Sequence, residues 1–148
     1  MQTTMTTTMP AAGPLARALA TLGRFPLGVV QLLFRLAIAS VFLKAGLTKL
    51  GGWEFTVQLF ADEYRVPVLP PELAAVIATT TEIGCSLLLV AGLGTRLATL
   101  PLLGMIAVIQ TFVYPGAYAE HLTWASILLF LLTRGGGGLS ADRALGLE

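Results

Sequence analysis

The sequence predicts an all-α integral membrane protein, a four-helix bundle with a short amphipathic external connector between its first and second spans. Three observations carry that prediction. Of 148 residues, 55% are hydrophobic and only 11% charged, against roughly 25% charged in a soluble domain. Mean hydropathy is +0.82. The apolar residues also gather into four stretches near the ~20 residues that cross a ~30 Å hydrocarbon core. The same numbers exclude other classes. A net charge of +1 gives no basic surface for nucleic acid. A single cysteine excludes a disulfide framework and any Cys-based zinc cluster.

Residues 1–26 mix Thr, Met, Gly and Pro without periodicity and read as a flexible cytoplasmic tail. They lack the basic start and continuous apolar core of a secretory signal. The membrane domain then covers 27–134. Its first span is 27–47. The second, 71–92, opens on Pro70-Pro71, with Pro71 suited to a first helical position. The third is 96–114, with Pro101 expected in its first turn, where a missing N–H matters least. The fourth, 118–133, gives only ~24 Å of helix, so bilayer thinning or burial among its neighbours must absorb the deficit. Residues 135–148 read as a helix terminator and a short cytoplasmic tail, and the Gly-Leu-Gly-Thr-Arg turn at 92–96 as a tight loop with Thr95 as N-cap. Four spans leave Arg17, Arg24, Arg96, Arg134 and Arg143 on one side, against Lys49 and Arg65 on the other. The positive-inside rule puts the arginine side, and both termini, in the cytoplasm. In the connector, Trp53, Val57, Phe60 and Tyr64 share a helical face opposite Glu54, Gln58, Asp62 and Glu63. That pattern suits either a re-entry segment at the membrane interface or a lid over a cavity between the helices.

Polar groups inside the spans carry the functional signal, since an ionisable side chain at mid-membrane is costly. Arg35 and Glu82 fall ~12 and ~15 Å from the cytoplasmic ends of antiparallel helices and are expected to pair, the guanidinium fork matching a carboxylate. Thr79, Glu82 and Ser86 recur at i, i+3, i+7 and make a polar stripe. Such a pair is either a ligand or proton site or a staple that fixes register. A second, external cluster is expected from Lys49, Glu72, Gln110 and His121, with Tyr114 near it and Lys44 level with Glu72. Lys49 reads as an interface anchor that snorkels outward, and His121 as a helix-start or interface residue. Cys85 reads as a small packing residue. No nucleophile–base pair, metal set, haem ligands or flavin motif is present in the sequence, so no catalytic residue is assigned.

Arg35, Phe42, Gly46 and Lys49, then Glu82 within Ala-Thr-Thr-Thr-Glu-Ile-Gly, then the 92–96 turn and the Arg-Gly-Gly-Gly-Gly-Leu-Ser-Ala-Asp ending together resemble the DoxX family of small four-helix membrane proteins. The resemblance covers about residues 29–142. Gly136 departs from it, standing where the family often has Pro, which is expected to loosen the C-terminal turn. The resemblance implies a multi-pass protein of a bacterial-type cytoplasmic (inner) membrane, with Arg35, Glu82 and Lys49 in the family's polar positions. It also implies a non-catalytic membrane subunit or accessory of a quinone- or sulfur-linked redox system. A quinone is then the candidate cofactor, and the partners are the lipid bilayer and a protein of a membrane complex. The residues leave open an adaptor or chaperone for a peptide- or metal-handling partner, a small-solute passage, a pure packing module, and a homo-oligomer.

Overall fold

A computed structural model describes residues 13–147; the first twelve residues of the expected tail lie outside the described residues. The described residues form helices joined by short turns, with no strand among them. Helix α1 covers Pro14–Leu22, α2 Leu27–Gly51, α3 Trp53–Leu59, α4 Pro71–Ala91, α5 Thr95–Val108, α6 Tyr118–Arg134 and α7 Ala141–Ala144. Helices α3 and α5 each run on into one π-helical turn, Phe60–Tyr64 and Ile109–Val113. Helices α2, α4, α5 and α6 form the bundle. Among the described residues three helices are long and apolar enough to cross a membrane: Leu27–Gly51, Pro71–Ala91 and Thr95–Val113. Helix α6 has 17 residues, ~26 Å of helix, and is the short member expected from the sequence.

The distribution of side chains is that of a protein solvated by lipid. Large apolar residues such as Leu33, Leu36, Leu47, Leu87, Leu97 and Leu129 point outward, while Arg35, Thr79, Glu82, Ser86, Thr95 and Thr99 are buried. Between helices there is no hydrophobic gain over lipid, so small residues and close packing hold the bundle. One close approach of α2 to α4 is at Gly46. A Cβ there would lie 2.7 Å from Ile83 Cγ1 and 3.1 Å from the Glu82 Cβ. The core around this crossing is Ile38, Ala39, Phe42, Leu89, Leu102 and Leu128, with Cys85 packed against it.

The crossing fixes the register of α2 on α4. Gly46 stands beside Glu82, and eleven residues earlier Arg35 lies over Gly92, where any Cβ would collide with its Nη1. Arg35 and Glu82 are therefore separated by ~16 Å along the bundle axis. The sequence expectation of an Arg35–Glu82 pair took the ends of the two helices as level. They are not level, because the first two turns of α2 overhang the end of α4 and pack on the glycine-rich C-terminal segment instead.

Three local expectations are also corrected. Residues 14–22 of the expected flexible tail form helix α1. The N-cap of α5 is Gly94 in the left-handed conformation, with Thr95 already helical. Gly92, at φ +69°, ends α4 in a Schellman turn, with Leu93 N–H donating to Leu88 O at 2.9 Å. Pro101 is the seventh residue of α5, beyond the first turn. Its missing N–H leaves the Leu97 carbonyl without its helical donor.

Candidate functional site

Two polar centres occupy opposite ends of the bundle. At the first, Glu82 of α4 receives two hydrogen bonds from Lys49 Nζ, at 2.8 Å to Oε1 and 3.0 Å to Oε2. Lys49 thus turns inward along the bundle instead of snorkelling outward. Its backbone carbonyl, near the end of α2, accepts from the buried Thr56 Oγ1 at 2.9 Å. This bond seats α3 against the end of α2 and satisfies one of the carbonyls that a helix end leaves unpaired.

This ion pair forms the polar wall of a cavity of about 310 Å³. The remaining wall is largely apolar: Phe60, Tyr64 and Val66 from the connector, Ala74, Ile77, Ala78 and Thr81 from α4, and Met105, Val108, Ile109 and Val113 from α5. The connector's aromatic stripe reaches this space. Val57, Phe60 and Tyr64 pack on Ala74, Ala75 and Ala78, while Trp53 stays partly exposed. Both π turns border the cavity. Tyr64, at the end of one, meets Tyr114, which follows the other, edge to face with ring centroids 5.8 Å apart. Tyr114 Oη donates to Glu63 Oε1 at 2.7 Å. That bond to a carboxylate, with Tyr64 beside it, holds the Tyr114 hydroxyl above the usual tyrosine range. π turns of this kind occur frequently at functional sites.

The other expected members of the external cluster fall elsewhere. Gln110 Nε2 donates to Pro115 O at 2.8 Å, and its Oε1 pairs with His121 Nδ1 at 2.7 Å. His121 is buried in the first turn of α6, its ring 5.5 Å from that of Trp124. This closed pair ties α5 to α6. Glu72 is exposed beside Trp53 and Glu54. Lys44 is exposed on the outer face of α2, and no Lys44–Glu72 ion pair exists among the described residues. Thr79 and Ser86 are buried on the face of α4 that carries Glu82, and neither hydroxyl has a hydrogen-bond partner among the described residues.

At the opposite end, Arg35 is 1% exposed and donates from Nη2 to Leu139 O at 2.6 Å. Its guanidinium covers the C-cap of α4. Four residues before it on the same face of α2, Gln31 Nε2 donates to Arg134 O and Gly135 O, both at 3.1 Å. Asp142 completes this centre. Its carboxylate accepts from Gly94 N–H at 2.6 Å and Thr95 N–H at 2.9 Å, capping α5, while Asp142 N–H donates to Gly92 O at 2.9 Å. Burial acts to raise the Asp142 pKa, but the two amides and the nearby Arg35 charge outweigh it and hold the carboxyl below its ordinary 3.8. The segment after α6 is therefore a packed closure of the bundle and not a loose tail. Gly136 is tight as well, since a Cβ there would lie 2.6 Å from Thr95 Oγ1.

Sequence reasoning missed Gln31 and Thr56; it named Glu63 only on the polar face of the connector, and reached Asp142 only as the last residue of the C-terminal ending, without the partners of either. Gln31 carried a usable signal, a second polar residue one turn before Arg35 within an apolar span.

The fold and its two polar centres define a small helical membrane protein with a few ionisable residues, Arg35 and Glu82 among them, buried inside the bundle. The DoxX family model matches residues 30–115, more than half of the chain, and the protein belongs to the DoxX family. No curated protein and no solved structure gives a significant match.

Proposed function

We propose that this protein is a non-catalytic membrane subunit of a redox system that holds a quinone-like ligand in the cavity above Lys49 and Glu82. The observation that carries the reading is one apolar cavity with an ion pair in its wall, Glu82 buried and Lys49 half-buried. A quinone needs that combination: an apolar slot for its ring and a few convergent hydrogen-bonding groups for its oxygens. The volume of about 310 Å³ lies at the small end of ligand sites and suits one headgroup ring. Lys49 Nζ is the donor for a carbonyl oxygen, and Glu82 the acceptor for a hydroxyl of the reduced form. Phe60 and Tyr64 make the connector a lid on this site. The excess of arginine at the Arg35 end supports a cytoplasmic location for that end and both termini, in the bacterial-type inner membrane that the reading takes as its setting. The quinone site then faces the opposite leaflet, and the electron-transferring chemistry belongs to a partner protein.

Titration of the detergent-purified protein with a short-chain quinone, followed by quenching of Trp53 and Trp124 fluorescence, tests this. Saturable binding is expected, weakened at least tenfold, about 1.4 kcal/mol, by Glu82→Gln. Ala78→Phe, which fills the cavity and leaves both charged residues in the chain, should abolish it. No saturable binding, or binding that survives both substitutions, overturns the proposal.

A further inference from the structure

Helix α1 buries none of its residues. Leu15, Leu19 and Leu22 recur at i, i+4 and i+7, 72%, 59% and 70% exposed, and Phe25 follows at 58%. Arg17 and Thr21 share the opposite face, Arg24 follows in the turn after the helix, and Thr21 Oγ1 donates back to Arg17 O at 3.0 Å. No acidic residue precedes Glu54 in the chain. Helix α2, the first membrane-crossing helix, begins at Leu27 after a short turn.

We propose that α1 is an in-plane anchor on an anionic bilayer surface. Its Leu15, Leu19, Leu22 and Phe25 face lies at the headgroup–acyl boundary, and Arg17 and Arg24 contact lipid phosphates. Three arguments select lipid as the occupant. Nine residues give ~14 Å of helix, too short to cross the bilayer. A helix of this length is marginal in water and needs a surface to fold against. The turn to α2 keeps it at the membrane, where its purely cationic polar face complements anionic headgroups. Arginine stems also lie along apolar surface while their heads reach the phosphates.

The test uses the full chain in a Cys85→Ala background, with an environment-sensitive dye on Leu19→Cys or on Thr21→Cys. The protein is reconstituted into phosphatidylcholine vesicles and into equimolar phosphatidylcholine–phosphatidylglycerol vesicles. The dye at 19 should emit at shorter wavelength than at 21 and be quenched by shallow spin-labelled lipids. The difference should grow in the anionic vesicles and shrink there with Arg17→Glu plus Arg24→Glu. Water-like emission at both positions, or equal burial in the two vesicle types, overturns the proposal. So does protection at 19 that follows protein density instead of lipid charge, which assigns the face to a second copy.

Discussion

At the scale of single residues, Lys49 and Glu82 bind each other so closely that neither can be understood alone. Removing one partner of a buried pair leaves an uncompensated charge and costs about 3–5 kcal/mol, whereas removing both costs much less. Lys49→Met and Glu82→Gln should each lower the melting temperature sharply in detergent, and the double variant should recover most of the loss. Arg35→Ala and Glu82→Ala should instead be additive within about 0.5 kcal/mol, because the side chains sit on different levels with no shared partner. Coupling between Arg35 and Glu82, or additivity between Lys49 and Glu82, would refute the assignment of partners. That Glu82 matters was legible in the sequence, since a carboxylate in an apolar helix must find a partner. Which cation it takes was not. Arg35 and Lys49 differ by 14 positions on one helix, and only the register of α2 on α4 decides between them.

Elements show the same division between what pattern reveals and what packing decides. Three membrane-crossing helices, the shorter α6 and the aromatic stripe of the connector follow from hydrophobic length and period. The π turns do not, because no composition signals a shift from i+4 to i+5 bonding; Tyr64 and Tyr114 meet where the two turns end. The crossing of α2 and α4 turns on one glycine. Gly46→Ala places a methyl 2.7 Å from Ile83 Cγ1 and should destabilise the bundle by roughly 1–3 kcal/mol, the usual cost of overpacking. Gly84, one residue beyond Ile83 on the other helix, has nothing within 4 Å of its added methyl. Gly84→Ala should therefore stabilise by about 0.5–1 kcal/mol, the ordinary gain of alanine over glycine within a helix. Thermal melts of the two variants must move in opposite directions. A common direction would mean that propensity or lipid contact, and not the helix crossing, governs both positions.

On the scale of the whole molecule, the two buried centres have different work. The Lys49 end encloses a cavity, and the Arg35 end closes the bundle by holding the chain that follows α6. A run of four glycines reads as a flexible terminator because glycine is conformationally permissive. Its order here comes from distant side chains: Gln31 on the Arg134 and Gly135 carbonyls, Arg35 on that of Leu139, and Asp142 on the amides of α5. None of these links is visible in local sequence. Asp142 also makes the closure sensitive to acid. Its folded pKa lies below its ordinary 3.8, so its contribution is complete above that value and disappears as pH falls through the lower, folded one. Asp142→Ala removes the cap of α5 and a charge that faces Arg35, and should cost about 2 kcal/mol near neutral pH. Because alanine does not titrate, the gap in melting temperature between wild type and variant should stay constant from neutrality to about pH 5. It should narrow once the pH passes below 3.8. A gap that persists undiminished in acid would show that packing by the Asp142 side chain, and not its carboxylate charge, closes this end of the bundle.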